Sequence, residues 1–186
     1  PFFLFLEQYS SANDIVEVLK DVKTKKTKSA LTSLPNFDNR FAEYTLWNWN
    51  REPVRAYQDT PNFPAIDISG EALSIYNLKK DDKATYFHPI APGAGKYVVL
   101  IASPAQGIEK INITFPNPDD KKHQKTLLVR INGVWHDEDM LGVPGRTFCL
   151  NRPDEKADAI IVVLDNSDLN ADYDSAFDAD TNGECP

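Results

Sequence analysis

Residues 96–102, KYVVLIA, and residues 159–164, AIIVVL, are two continuous apolar runs in the second half of this chain. Both are short and rich in β-branched residues, and neither alternates with polar residues, which is typical of central strands that are buried on both faces. The chain around them, from residue 71 to 168, consists of short β runs separated by turn signals, with no helical pattern between them. This spacing predicts an antiparallel β-sandwich of the immunoglobulin or jelly-roll kind.

Seven strands are predicted in this sandwich. They span residues 71–78, 83–88, 96–102, 108–115, 125–131, 146–150 and 159–164. Residues 59–70, DTPNFPAIDISG, form a proline-rich linker before the first strand, and residues 169–186 form an acidic C-terminal tail after the last one. The expected fold class is therefore α+β, with a short N-terminal helical segment packed on the sandwich.

Residues 1–58 are predicted to be helical and to be the remnant of an upstream domain. Ile15, Val18, Leu19 and Val22 follow the spacing of a helix over residues 14–22 with one buried face. A third helix is expected from Asp38, as its N-cap, to about Asn50. The lysine-rich stretch between the two helices is interpreted as a solvated loop.

The charge of the chain is concentrated at its C-terminus. The chain has 28 acidic and 20 basic side chains, a net charge of −8. Residues 165–186 hold six Asp and one Glu, so the rest of the chain is nearly neutral. This balance argues against a nucleic-acid partner, because phosphate binding requires clustered Lys and Arg. The longest apolar run, PFFLFL at residues 1–6, is far shorter than the roughly 20 residues of a membrane span, so no membrane insertion is expected.

Calcium is the cofactor that the C-terminal residues suggest. Asp178, Asp180 and Asn182 occupy alternating ligand positions, Gly183 supplies a sharp turn and Glu184 adds a carboxylate, as in the first half of a Ca²⁺ loop. The bidentate Glu expected six residues after the glycine would lie beyond Pro186. The alternative is a flexible acidic tail without an ion.

Cys149 and Cys185 are the only cysteines, 36 residues apart. We predict that they form a disulfide that fastens the tail, which the loop-entropy model values at roughly 3–4 kcal/mol. Such a bond implies a secreted, periplasmic or cell-surface protein. Two unrelated free thiols are the alternative interpretation.

No nucleophile elbow, Walker loop, dinucleotide-binding glycine pattern or HExxH motif occurs in the sequence. His136 precedes three carboxylates, Asp137, Glu138 and Asp139, and this run could in principle bind a metal or transfer protons. No second histidine is near it in sequence, so we interpret the run as a loop. We expect that the chain is not an enzyme.

Three tryptophans are candidates for a binding surface. Trp47 and Trp49 lie two positions apart, so one helix cannot bury both on the same face. They could pack between the helical segment and the sandwich, or they could form a surface for a sugar or a protein. Trp135 is the third candidate, within the β-rich part.

The opening residues 2–22, FFLFLEQYSSANDIVEVLKDV, and residues 41–57, FAEYTLWNWNREPVRAY, resemble the helices behind the active site of secreted bacterial metallopeptidases of the gluzincin kind. The segments INGVWHDEDM, RTFCL and AIIVVLDNSDLN are similar to β-sandwich modules appended to secreted proteases and surface proteins. The resemblance implies a non-catalytic C-terminal accessory region of a bacterial metallopeptidase-like protein. Its partner would be the upstream part of its own parent protein, and the zinc ligands would lie before Pro1.

Such a region would brace the catalytic part and contact substrate or the cell surface. The alternative function is a free-standing β-sandwich module that binds carbohydrate or another protein.

Overall fold

In a computed structural model, which describes residues 2–49, 72–154 and 156–185, the chain forms two compact units. The first comprises residues 1–67 and is helical where it is described; the second comprises residues 68–186 and contains two β-sheets. We refer to them as the helical unit and the β unit. The predicted class, α+β with a β-sandwich, is confirmed. The predicted linker, residues 59–70, lies outside the described residues.

The described part of the helical unit contains four helices built around aromatic side chains. They are α1 (Phe2–Tyr9), α2 (Ala12–Val22), α3 (Thr27–Leu31) and α4 (Phe37–Asn48). The ring of Phe5 lies 4.8 Å from that of Tyr9 on α1 and 5.6 Å from that of Tyr44 on α4, measured between centroids. An ion pair of 2.7 Å between Arg40 and Asp14 also connects α4 to α2.

Three predictions for this unit need correction. Val18 is the one fully buried residue of α2, whereas Leu19 and Val22 are exposed, so the buried face is narrower than its apolar spacing suggests. Helix α3 forms where a solvated loop was expected, and it buries Ala30. Helix α4 begins at Phe37, so its N-cap is Asn36, in a left-handed conformation, rather than Asp38.

The described part of the β unit contains nine strands in two sheets. The strands are β1 (Leu73–Asn77), β2 (Lys83–Ile90), β3 (Ala94–Ile101), β4 (Lys110–Thr114), β5 (Lys125–Ile131), β6 (Val134–Asp139), β7 (Gly145–Cys149), β8 (Ala157–Asn166) and β9 (Tyr173–Asp180). The five-stranded sheet has the order β1-β3-β8-β5-β6, and the four-stranded sheet has the order β2-β9-β4-β7. All pairs are antiparallel except β1 with β3, which run parallel because the chain visits the other sheet between them.

Strand β8, which contains the run AIIVVL, is the middle strand of the five-stranded sheet, and β3, which contains KYVVLIA, is its neighbour. The run AIIVVL is apolar on both faces because Val162 and Leu164 point into the core, whereas Ile161 and Val163 are buried on the other side of the sheet. The predicted central position of these two segments is confirmed.

The acidic C-terminal residues are part of the sandwich, and this corrects the predicted boundary at residue 168. Strand β9 lies inside the four-stranded sheet, between β2 and β4. Its inward residues Ser175, Phe177 and Ala179 are buried, and its carboxylates alternate with them on the outer face. In the sequence, the many Asp residues of this segment make it difficult to see that buried and exposed residues alternate along it.

Strand β6 is the second missed strand. It pairs with β5 through the two-residue turn Asn132-Gly133, in which both residues have positive φ. An Asn-Gly pair in this conformation is the preferred hairpin turn because its twist matches that of the strands. The run from His136 to Asp139 is therefore an edge strand and not a loop.

Side chains join the edges of the two sheets. Glu138 on β6 pairs with Arg146 on β7 at 2.9 Å, and Tyr76 on β1 contacts Tyr86 on β2 with ring centroids 4.4 Å apart. These contacts close the two sides of the sandwich. Among the described residues, no helix has the length and apolarity needed to cross a membrane.

Candidate functional site

The outer face of the four-stranded sheet is the surface that we consider as a functional site, and we call it the open face. It carries the side chains that alternate with the buried core residues of β2, β9, β4 and β7. These are Lys83, Thr85, Phe87 and Pro89 on β2, Asp174, Ala176, Asp178 and Asp180 on β9, Lys110, Asn112 and Thr114 on β4, and Gly145 and Thr147 on β7. Most are short, so few of them project far from the sheet.

Strand register arranges these side chains in rows across the sheet. One row runs Lys83, Asp180, Asn112, Thr147, and the next runs Thr85, Asp178, Thr114, Gly145. Neighbours within a row are about 5 Å apart at their Cβ atoms, and rows are about 7 Å apart along the strands. The rows therefore form a regular lattice of hydroxyl, carboxylate and amide groups.

Phe87 is the exception to this polar lattice. It lies on the edge strand β2 and is 69% exposed, the highest value among the large hydrophobic residues that the structure describes. Its register partner on β9 is Ala176, a small residue that leaves the ring uncovered, and Pro89 lies next to it along β2. Its ring is therefore the one large apolar surface on this otherwise polar part of the sheet, and a ligand with an apolar face could pack on it.

Hydrogen bonds fix part of the lattice. The Thr85 hydroxyl donates to Asp178 Oδ1 at 2.6 Å, and the Thr147 hydroxyl donates to Asn112 Oδ1 at 3.0 Å. Each interaction joins neighbouring strands, and each leaves further lone pairs or N–H groups directed away from the sheet. The open face therefore presents pre-oriented donors and acceptors.

Asp180 is electrostatically compensated. The backbone N–H and the side-chain amide of Asn182 both donate to its Oδ1 at 2.8 Å. These hydrogen bonds, the backbone one first, together with the positive charges of Lys83 and Lys110, lower the pKa of Asp180 below its ordinary value. The carboxylates nearer Phe87, Asp178 and Asp174, have no basic register partner.

The four predicted calcium ligands do not form a loop. Asp178 and Asp180 are in strand β9, while Asn182 and Glu184 follow it, with Asn182 turned back onto Asp180. Within residues 2–49, 72–154 and 156–185, no group of three or more His, Cys, Asp or Glu side chains is arranged to hold a metal ion. The calcium site stays a prediction, and melting temperatures in calcium and in EDTA test it.

The predicted disulfide between Cys149 and Cys185 is present, with Cα atoms 5.8 Å apart. Cys149 ends strand β7, and Cys185 lies five residues after β9. The bond therefore fastens the chain that leaves β9 to the far edge of the same sheet. It holds a core strand in place, rather than a free tail.

The three predicted tryptophans lie in different units, Trp47 and Trp49 in the helical unit and Trp135 in the β unit. Trp47 is half-buried against the rings of Phe5 and Tyr9, at centroid distances of 5.2 and 5.9 Å, and Trp49 is 8% exposed. Trp135 on β6 is half-buried, with the guanidinium of Arg130 5.6 Å from its ring centroid. Their role as a binding surface stays a prediction.

His136 is separated from two of the carboxylates that follow it. Residues alternate along β6, so His136 and Glu138 are on one face of the strand and Asp137 and Asp139 are on the other. Glu138 is also paired with Arg146. The arrangement therefore does not bring His136 together with Asp137 or Asp139.

A second polar group lies where the turn before β5 meets the start of β9. His123 Nδ1 is 2.8 Å from Asp120 Oδ2, and the imidazole stacks on the ring of Tyr173, with centroids 3.5 Å apart. Burial acts to raise the pKa of Asp120, but the interactions with His123, the backbone N–H of Lys122 and the charge of Lys125 together outweigh it and lower the pKa below its ordinary value. These contacts anchor the beginning of β9.

No protein-family model matches the chain, and no curated protein matches it. The resemblance to gluzincin metallopeptidases therefore stays a prediction.

Sequence reasoning missed every residue of the open face except Asp178 and Asp180. The signal that could have revealed it is the alternation Asp174, Ser175, Ala176, Phe177, Asp178, in which one buried aromatic residue lies between outward carboxylates. Phe87 gave no such signal, because an apolar residue in a strand is ordinarily assigned to the core.

Proposed function

We propose that the β unit is a non-catalytic recognition module and that its open face binds carbohydrate. The observation that carries this proposal is Phe87, a strongly exposed ring at the edge of a lattice of hydroxyl, carboxylate and amide groups. A pyranose ring has the complementary character, since it offers a C–H face that packs on an aromatic ring and hydroxyls that hydrogen-bond at its rim.

The spacing of the open face supports an extended ligand. Its rows repeat about every 7 Å along the strands, and Asn112 and Thr147 continue the polar surface across the sheet beyond Asp180. Contacts with several sugar units would add together, which compensates for the weak binding of any single exposed contact. A chain of sugars therefore suits this surface better than a single one.

Calorimetric titration with a panel of soluble oligosaccharides tests the proposal. We expect dissociation constants in the micromolar to millimolar range for at least one glycan, because the face is open to solvent and few groups become buried. Phe87→Ala should weaken this binding at least tenfold without changing the fold. Val134→Ala is the matched control, because Val134 is also exposed, at 59%, but lies on β6 in the other sheet.

Equal binding by Phe87→Ala and the parent protein would exclude the open face as the site. A complete lack of response to the panel would remove the proposed function.

The accessory role implied by the gluzincin resemblance is a second, separate proposal. In it, the module would carry the catalytic part of a secreted metallopeptidase-like protein to a glycan on its substrate or on a cell surface. The disulfide between Cys149 and Cys185 supports an oxidising, extracellular setting. The coding sequence upstream of Pro1 tests this role: an HExxH motif there would support it, and an unrelated domain would contradict it.

A further inference from the structure

Two buried polar side chains of the four-stranded sheet point into the space between the two sheets. They are His88 on β2 and Ser175 on β9, which are register partners and are 2% and 1% exposed. Neither His88 Nε2 nor Ser175 Oγ has a hydrogen-bond partner among the described residues, so the two groups do not bond to each other either. Buried polar atoms nearly always have a partner, because leaving one unsatisfied is costly. Two such groups on side chains about 5 Å apart at Cβ therefore indicate a shared partner.

Lys96 brings a positive charge to this space from the facing sheet. It lies on β3 in phase with the core residues Val98 and Leu100, so its side chain points inward. Lys96 is half-buried, and it forms no ion pair within the part of the chain that the structure describes.

A hydrogen bond between the sheets shows that Lys96 and His88 are at the same end of the sandwich. Asn166 on β8 lies two residues after Leu164, the register partner of Lys96, and its Nδ2 donates to the Ile90 carbonyl oxygen at 3.1 Å. Ile90 lies two residues after His88 on β2. Packed sheets are about 10 Å apart, a gap that a lysine side chain spans in large part. Burial and then the charge of Lys96 lower the pKa of His88, which agrees with this placement.

Lys125 is a second inward lysine, on the other side of Leu164. It is the register partner of Leu164 on β5, and its Nζ has no hydrogen-bond partner among the described residues. Burial lowers the pKa of Lys125, and the carboxylates of Asp120 and Asp165 act in the opposite direction. Because these two carboxylates offset the charge of Lys125, Lys96 is the cation on which the site depends.

From these observations we infer that the space between His88, Ser175 and Lys96 binds a small monovalent inorganic anion of the size of chloride. The Nε2–H of His88 and the hydroxyl of Ser175 would donate hydrogen bonds to the ion, and the Lys96 ammonium group would supply the opposite charge. The ion must be small because both hydrogen-bonding side chains are almost fully buried. This site is separate from the open face, and the inference does not depend on the carbohydrate function.

Ordered water is the other partner that buried polar groups commonly have. Water could satisfy the imidazole and the hydroxyl, but it would leave the charge of half-buried Lys96 without a counter-charge. An anion satisfies the hydrogen bonds and the charge together, and the arrangement therefore favours an anion.

NMR titration of histidine-labelled protein tests the inference, because an anion beside an imidazole favours its protonated form. Sodium chloride is compared with sodium gluconate, whose anion is too large for the site, at equal ionic strength. We expect saturating chloride to increase the proton affinity of His88 about tenfold, which raises its pKa from about 4. His136, which is exposed on β6, is the internal reference and should titrate alike in both salts.

Diffraction from crystals grown in sodium bromide gives a second measurement that does not depend on titration. We expect an anomalous scattering peak between His88 Nε2 and Ser175 Oγ. A well-ordered site with no such peak would overturn the inference.

Three variants separate the parts of the site. Lys96→Met removes the charge and should abolish the response of His88 to chloride. In gluconate the same variant should raise the pKa of His88, because a repelling cation is lost, and a merely structural role would not produce this change. Ser175→Ala should weaken chloride binding severalfold. Lys83→Met is the matched control, because Lys83 lies on the open face of β2, and it should retain the full response.

Two results of the titration would contradict the inference. Equal titration of His88 in chloride and in gluconate would show that the partner is water. A full chloride response in Lys96→Met would show that the anion binds elsewhere. Neither result affects the proposed carbohydrate function, which Phe87→Ala tests separately.

Discussion

His88 shows how a single buried side chain makes the β unit sensitive to acid. Its side chain points into the core from β2, where only 2% of the residue is exposed, and its ring is 6.0 Å from that of Phe177. Burial, together with the positive charge of Lys96, lowers the pKa of His88 to about 4. The imidazole is therefore neutral in the folded protein at physiological pH.

We predict that this histidine destabilises the protein between pH 6.5 and about 4. The imidazole of His88 binds a proton near pH 6.5 in the unfolded chain, but only near pH 4 in the folded chain. The folded state is therefore at its most stable, with respect to this group, above pH 6.5, and it loses that stability as the pH falls towards 4. At about pH 4.5 the loss should be on the order of 2 kcal/mol. Urea unfolding at neutral and at acidic pH gives the decrease in the free energy of unfolding for each protein. This decrease should be smaller by about 2 kcal/mol in His88→Leu than in the parent protein. Equal decreases in the two proteins would contradict the prediction.

At the scale of elements, strand β9 decides whether the C-terminal residues belong to the fold. Phe177 on β9 and Phe87 on β2 are both phenylalanines of the four-stranded sheet, but Phe177 is 0% exposed in the core and Phe87 is 69% exposed on the open face. Replacing the first removes core packing, whereas replacing the second removes a side chain that is already in water.

Phe177→Ala should lower the free energy of unfolding by about 3–5 kcal/mol, and Phe87→Ala should change it by about 0.5 kcal/mol or less. Denaturant unfolding at neutral pH measures both values. If Phe177→Ala were as stable as the parent protein, residues 173–180 would not be a core strand, and the open face would lose one of its four strands.

The disulfide should stabilise the same strand. Cys149 and Cys185 close a loop of 36 residues that contains β8 and β9, and the chain-entropy model gives such a loop roughly 3–4 kcal/mol. We expect the double variant Cys149→Ala/Cys185→Ala to lose about 2–4 kcal/mol in urea unfolding, as does the parent protein after reduction. Equal stability of oxidised and reduced protein would show that pairing of β9 with β2 and β4 is sufficient alone.

The strands that could be predicted from sequence differ from the missed strands in their outward-facing side chains, which are apolar in the first group and charged in the second. The run around Val162 was identified because burial on both faces leaves no polar residue within it, and the run around Val99 because its half-buried and exposed residues are also apolar. Strand β9 was missed because three of its eight side chains are carboxylates that face water, and this charge conceals the weak pattern of Ser175, Phe177 and Ala179. Strand β6 was missed for the same reason, although its Asn-Gly turn was available as a signal.

At the scale of the whole molecule, the excess negative charge is spread over a folded surface instead of a mobile tail. Asp165 is buried, Asp168 pairs with Lys122 at 3.0 Å, and Asp174, Asp178 and Asp180 are on the open face. A count of charges cannot predict this distribution, because it depends on which strands become neighbours. The site of a recognition module is equally hard to predict from sequence, since its residues come from four strands that are distant along the chain.

Hydrogen exchange of the β9 amides tests the central claim most directly, because every other conclusion about the open face depends on that strand. The account predicts that residues 173–180, paired with β2 along their length and with β4 at their end, exchange far more slowly than the edge strand β6. Exchange as fast as in an unstructured peptide would contradict it, since the open face would then not exist in solution.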